Sequence, residues 1–160
     1  MRTVVFSLFF LISITMLAQG EHSKKNYTKE IEITSSVDDA WGLLSNVAMW
    51  KEWNSHIVDA RLSEDFKDKS RGSLVTANSQ VVDFQIVDFV EGEQYTLRHK
   101  LSSGTIYLKR TLAATETGAK IMAEVWYKGL SSGNFKKYMG SDYTMVLERE
   151  LQSFQQLLQN

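Results

Sequence analysis

The chain has 160 residues, with 18 lysines and arginines against 19 aspartates and glutamates, and neither cysteine nor proline. Its near-zero charge excludes a bulk basic excess that would draw in nucleic acid or an anionic membrane. The missing thiols exclude disulfides and thiolate metal sites, and turns must rest on glycine, asparagine and serine.

The first segment reads as a targeting signal. Met1-Arg2-Thr3 is a short positive start, Val4 to Leu17 is a 14-residue stretch without charge, and Ala18-Gln19-Gly20 supplies small residues for a cleavage site before Glu21. That is the three-part layout of a secretory signal peptide. Fourteen uncharged residues fall short of the roughly 20 needed to span a bilayer as a helix, so no stable membrane anchor is expected. Glu21, not cysteine, follows the boundary, which excludes a lipoprotein anchor.

Loss of residues 1–20 leaves 140 residues with 17 basic and 19 acidic side chains, a net of −2. That length suits one domain with one core. Residues 21–26 form a polar lead-in, and 27–160 form the domain. The sequon Asn26-Tyr27-Thr28 matters only in a eukaryotic host. Leu-Ser-Ser-Gly occurs at 101–104 and 130–133, both times as turn punctuation and not as a repeat.

In chain order, Tyr27 to Thr34 alternates Ile31 and Ile33 against Glu30 and Glu32, the pattern of a half-buried strand. Ser35 or Ser36 can cap a helix that carries Asp38 and Asp39 in its first turn. Val37, Ala40, Trp41, Leu44 and Val47 follow at helical spacing. A short helical piece from Asn46 to Trp53 brings Trp50 and Trp53 together. Strands are predicted at Val58 to Phe66, Ser73 to Asn78, Val81 to Val90, Tyr95 to Ser102, Thr105 to Thr115 and Ala119 to Leu130. The breaks at Lys67 to Gly72, Glu91-Gly92-Glu93, Ser103-Gly104 and Thr117-Gly118 have turn composition, and their brevity implies antiparallel neighbours.

A terminal helix is predicted from about Asn134 onward. At 100° per residue, Met139, Tyr143, Val146, Leu147, Leu151, Phe154, Leu157 and Leu158 fall on one stripe. Gly140 weakens the start, so the helix either bends there or begins again at Ser141. Such a helix needs an apolar surface to cover. The concave face of a curved sheet provides it, and a space between the two follows.

These segments resemble the SRPBCC (START-like, Bet v 1-like) superfamily, and most of all its polyketide cyclase/dehydrase type 2 branch. The resemblance runs from Tyr27 to Leu158. It rests on the first strand Lys29-Glu30-Ile31-Glu32-Ile33-Thr34, on Val37-Asp38-Asp39-Ala40-Trp41-Gly42-Leu43-Leu44, and on Trp53-Asn54-Ser55-His56-Ile57, which is similar to a Trp-Asn-Pro-x-Ile stretch. Gly72 opening a strand and the pair Val87-Asp88-Phe89 and Tyr95-Thr96-Leu97 complete it. Ser55 departs from the pattern where proline is common, and the 91–94 turn also lacks proline.

The resemblance implies an α+β helix-grip fold, in which an antiparallel sheet of six to seven strands wraps a long C-terminal helix, with one or two short helices after the first strand. It implies a cavity for a small hydrophobic or aromatic molecule. Members include carriers of lipids, sterols and quinones, aromatic cyclases and chaperone cofactors. Most are cytoplasmic, so a signal peptide would set this chain apart in the periplasm or outside the cell.

His99 shares strand parity with Tyr95, Leu97 and Leu101, so it is a candidate hydrogen-bond partner or general base if that face lines the cavity. A satisfied core histidine is the plainer alternative. His22, His56 and His99 show no metal-ligand spacing, and no metal is expected. Arg110 lies in parity with Leu108 and Leu112, and Glu150 sits in the middle of the apolar stripe. An ionised group buried without a partner is costly, so the two misfits point to each other, as a structural ion pair or as a grip on a polar ligand.

Trp41, Trp50, Trp53, Phe84, Phe89, Tyr127, Tyr143 and Phe154 fall at core parity, where aromatics are mostly core, yet some must line a pocket. The ligand-binding candidates are therefore Trp50, Trp53, His99, Arg110, Tyr127, Tyr143, Glu150 and Phe154, and His99, Arg110 and Glu150 are the candidates for catalysis. Trp126 has the opposite parity and is a candidate exposed contact. No Gly-x-Ser-x-Gly, P-loop, Gly-x-Gly-x-x-Gly or His-Glu-x-x-His occurs, which removes the best-marked enzyme classes. No cofactor is expected.

Overall fold

The structure, a computed structural model, describes residues 27–159. The signal peptide and lead-in read at 1–26 lie outside the described residues. Seven antiparallel strands form one sheet in the order β1-β7-β6-β5-β4-β3-β2. They are β1 (Tyr27–Ile33), β2 (Ile57–Leu62), β3 (Arg71–Thr76), β4 (Val81–Val90), β5 (Gln94–Leu101), β6 (Gly104–Thr115) and β7 (Gly118–Lys128). β2 to β7 form a meander, and β1 joins it by pairing with β7, Tyr27 opposite Val125 and Ile33 opposite Ala119.

Between β1 and β2 lie α1 (Val37–Ser45), a 3-10 turn at Val47–Met49 and α2 (Trp50–Trp53). Ser36 caps α1, its Oγ accepting from the Asp39 amide at 3.1 Å, a cap that satisfies an otherwise unpaired N–H. After β7 come α3 (Ser132–Met139) and α4 (Tyr143–Gln159). The break between them falls at Gly140, whose φ of 90° lies in the region that disfavours side chains. Among the described residues no helix is long and apolar enough to cross a membrane.

The sheet curves around α4. Part of the curvature comes from an irregularity in β4 between Val87 and Val90, where Asp88 takes φ 52°; a bulge bends its strand and increases the local twist. Lys109 Nζ reaches the Asp88 carboxylate at 2.9 Å and tethers this point to β6. Along the other edge, Lys29 pairs with Glu148 at 3.0 Å and Gln155 Nε2 donates to the Glu32 carbonyl at 3.0 Å, tying α4 to β1.

The core lies between the concave face and the helices. Leu147, Leu151 and Phe154 of α4 are buried against Ile121, Ala123, Val125 and the aromatics of α2. Fully burying side chains of this kind stabilises by about 1.5–3 kcal/mol each. Gly72 is required by packing: a Cβ there would lie 2.3 Å from the Arg61 carbonyl oxygen and 2.4 Å from Phe84 Cζ.

The ends of three strands differ from the sequence expectation by two residues or more; β3 runs Arg71–Thr76 and not Ser73 to Asn78. β2 stops at Leu62 and does not continue to Phe66, because the 63–70 loop closes on itself: buried Ser70 donates its hydroxyl to the Asp65 carbonyl at 2.7 Å. Lys69 and Ser70 then take over the β4 hydrogen bonds at Ile86, at 2.9 Å each. Phe66 leaves the strand to pack edge-on against Tyr95, 5.0 Å between centroids. At the other end β7 stops at Lys128, and α3 begins at Ser132, capped by Ser131, whose Oγ accepts from the Asn134 amide at 3.1 Å.

Candidate ligand-binding cavity

Between the sheet and the helices lies a cavity of about 310 Å³. Leu74 and Val82 of β3 and β4, Ile106 and Leu108 of β6, and Tyr143 and Val146 of α4 form much of its wall. The strand residues share the inward parity, and the α4 residues belong to the stripe that faces the sheet. Its open end is framed by the β3–β4 turn, Thr76 to Gln80, and by the end of α3, Lys137 to Gly140. A second chamber of about 40 Å³ adjoins it, lined by Trp50, Trp53, Tyr95, Leu97 and Arg110. Asn54, Ile57, Leu74, His99 and Leu108 line both.

One end of the cavity is polar. Arg110 on β6 and Glu150 on α4 are 4% and 5% exposed, and Arg110 Nη2 donates to Glu150 Oε1. Arg110 Nη1 also donates to the Lys109 carbonyl at 3.1 Å. Asn54, just after α2, donates through Nδ2 to Glu150 Oε2 at 2.9 Å, while its Oδ1 accepts from the His56 amide at 3.0 Å. The carboxylate is thus bound by one partner at each oxygen, which is what allows its burial. Burial opposes the Arg110 charge, but Glu150, with Tyr95 and Tyr143, outweighs it and holds the guanidinium pKa above its ordinary value.

Tyr95 and Tyr143 flank this pair. Burial, reinforced by the Glu150 charge and opposed by Arg110, raises both phenol pKa values, so both stay protonated across the physiological range. His99 is 6% exposed on β5, with Nδ1 3.2 Å from the Asp83 carbonyl. A carbonyl only accepts, so Nδ1 carries the hydrogen. Burial pushes the imidazole pKa down to about 4 despite that bond. His99 is therefore neutral at pH 7, and its Nε2 is an acceptor.

The structure brings His99, Tyr143 and Glu150 together on the larger cavity and sets Arg110, Trp50 and Trp53 around the smaller chamber. Trp50 is committed to the fold, its Nε1 donating to the Leu44 carbonyl at 2.8 Å. Trp53 packs edge-on against Phe154, 5.2 Å between centroids, and its Nε1 is buried without a hydrogen-bond partner, as is Arg110 Nε. Two of the sequence candidates line neither chamber. Phe154 is covered by Trp53, and Tyr127 stacks on Phe135 at 4.5 Å because α3 folds back over that part of the sheet. Trp126, on the outer face, is half-buried and stacks on its cross-strand neighbour Tyr107 at 5.1 Å.

Sequence reasoning did not single out Asn54 as a partner of Glu150. Its only signal was its place in the Trp53-Asn54-Ser55-His56-Ile57 stretch. Nor did it find the aliphatic wall, although the parity that places Arg110 inward places Leu108 and Ile106 there too.

No protein-family profile matches the chain, and no curated protein matches it by sequence. Solved structures do match in three dimensions. Protein MLL2253 from Mesorhizobium loti is 16% identical with a TM-score of 0.68, over 84% of this chain and 97% of that one. The di-domain ARO/CYC StfQ from the steffimycin biosynthetic pathway is 12% identical with a TM-score of 0.65, over 84% of this chain and 50% of that one. A norcoclaurine synthase point mutant from Thalictrum flavum, in complex with a transition state analogue, is 11% identical with a TM-score of 0.62, over 84% and 94%. With its seven antiparallel strands curved around a long terminal helix, the chain has the helix-grip fold of SRPBCC-type proteins.

Proposed function

We propose that this chain is an exported binding protein that holds a small, mostly apolar molecule between the concave sheet and α4. The cavity carries this reading: about 310 Å³, walled by Leu74, Val82, Ile106, Leu108 and Val146, with Asn54, His99 and Glu150 at its inner end and a mouth framed by Thr76 to Gln80 and Lys137. That volume is at the small end of the usual range for ligand sites, about 300–1,000 Å³. It suits a compact ring system better than a sterol or a long acyl chain, and it favours binding over an interaction module with a filled interior. The charged start, the uncharged run and the Ala18-Gln19-Gly20 boundary support export.

Native mass spectrometry on protein purified from its own host, paired with thermal shift against fatty acids, sterols, quinones and aromatic polyketides, tests the reading. A ligand that binds only the native state raises Tm. The expected result is a mature chain beginning near Glu21 and stabilisation by at least one aromatic class. A full-length chain in the cytoplasm overturns export, and the absence of any stabilising compound overturns binding.

A second reading has its own support. His99 offers a neutral base on the wall shared by the larger cavity, lined by protonated Tyr143, and the smaller chamber, lined by protonated Tyr95, which a cyclase- or dehydratase-like enzyme could use. Turnover of a bound polyketide that is lost in His99→Phe with binding retained would favour it over simple carriage.

A further inference from the structure

The side of the sheet turned away from the cavity carries an open groove of about 730 Å³ across β2, β3, β4 and β5. Alternation puts its side chains there. Leu74, Phe84, Leu97 and His99 are buried on the inner face, so Arg71, Ser73, Asp83, Gln85, Arg98 and Lys100 point outward. Ser73 lies opposite Arg61 on one side and Asp83 on the other, and its small side chain leaves the face open. Arg71, Gln85 and Arg98 follow one another in a single cross-strand row. Gln85 Nε2 donates to the Lys69 carbonyl at 3.1 Å, which turns Oε1 to receive Arg98 Nη2. Arg98 is thereby held half-buried in the groove, with its Nε unpartnered.

The charges in this groove do not cancel. Arg61 pairs with Asp59 at 2.9 Å, but Arg71, Arg98 and Lys100 form no ion pair among the described residues. Asp83 is the one carboxylate in the lining. In a chain of net charge −1, that is a local excess of cations, which attracts and steers groups of opposite charge. Guanidinium forks match carboxylates two bonds at a time. A lipid surface fits poorly, because none of the exposed apolar side chains Val58, Val81, Val90, Tyr138 and Met145 lines the groove to insert into it. A single-stranded nucleic acid lacks a stacking ring, since the one aromatic in the lining, Phe84, is buried. We infer that this groove docks an extended acidic segment of a partner protein, its carboxylates paired with Arg71, Arg98 and Lys100. Arg71 and Arg98 stand two strands apart, about 10 Å, which is also the length of about three residues of extended chain. Acidic side chains three positions apart therefore fall over the two arginines. The surface is separate from the cavity and does not depend on what the cavity holds.

The test is fluorescence anisotropy at low salt, using the protein as its host produces it and a labelled peptide of four Glu-Ser-Ser repeats beside its Gln-Ser-Ser counterpart. The glutamate peptide should bind, and the glutamine peptide should be weaker by about tenfold or more. Arg71→Glu and Lys100→Glu change exposed side chains and should each weaken the glutamate peptide by about tenfold or more, because like charges then meet. Asp83→Asn should tighten it by about twofold or more. Lys120→Glu, outside the groove on β7, should leave it unchanged. Proton–nitrogen NMR of labelled wild-type protein is the second measurement: the amides of Ser73, Gln85 and Arg98 should move on adding the glutamate peptide, a readout that no variant has to fold to give. Equal binding of the two peptides, an equal loss in Lys120→Glu, or amide shifts confined to other surfaces overturns the proposal. So does failure of the glutamate peptide to bind, whether or not phosphatidylglycerol vesicles or single-stranded DNA bind in its place.

Discussion

Replacing Glu150 by alanine should destabilise the fold by about 3–5 kcal/mol, the usual cost of leaving a buried charge without its partner. The magnitude follows from the burial: Arg110 and Glu150 are 4% and 5% exposed, so water cannot take over from the missing carboxylate. In Glu150→Ala the guanidinium keeps only the Lys109 carbonyl, and the Asn54 amide loses its acceptor. Measured against a total stability of roughly 5–15 kcal/mol for a domain, that is a large fraction.

The assay is urea unfolding followed by tryptophan fluorescence, with Glu150→Ala, Arg110→Ala and the double variant forming a cycle. Both charges are absent in the double variant, so its loss should fall short of the sum of the single losses, with a coupling of about 2–3 kcal/mol. Arg110→Met with Glu150→Leu should recover much of the stability, because apolar replacement of a buried pair is often neutral or favourable. A Glu150→Ala cost below about 1 kcal/mol, the value of an exposed pair, would refute the reasoning. So would a coupling within about 0.5 kcal/mol, the level of independent sites.

Two further outcomes test neighbouring parts of the structure. His99 has a folded pKa of about 4 against about 6.5 unfolded, so below pH 6.5 the unfolded chain takes up a proton that the folded chain does not. Its contribution is fully present above pH 6.5 and is lost as pH falls toward 4, with about 2 kcal/mol gone by pH 5; His99→Phe should lack this component, and identical pH slopes in the two proteins would contradict it. Gly72→Ala places a methyl 2.3 Å from the Arg61 carbonyl and 2.4 Å from Phe84 Cζ, and overpacking of this kind should cost about 1–3 kcal/mol in chemical denaturation, whereas an unchanged midpoint would mean that β2 and β4 yield at no cost.

Much of the architecture can be read from local pattern. Alternation in β1, β4, β5, β6 and β7 depends on a period of two that each segment carries in itself, and the short breaks between β4 and β7 leave little choice but antiparallel pairing. The same periodicities place Arg110 inward among leucines and Glu150 in the apolar stripe of α4, and since two buried opposite charges must find each other, their pairing was legible too. Packing decided the rest. Parity says which face a residue is on, not what covers that face: Tyr127 and Phe154 point inward like Tyr143, yet α3 covers one and Trp53 the other, and only Tyr143 borders the cavity. The loop at 63–70 likewise depended on β4 exchanging hydrogen bonds with the loop backbone at Ile86, a contact that no local window of sequence contains. Asn54 joined the Arg110–Glu150 pair because the turn after α2 and the middle of α4 meet in space, 96 residues apart along the chain. The state of His99 was settled in the same way, since the carbonyl that orients its ring belongs to Asp83 on the neighbouring strand and its neutrality comes from the bulk folded around it.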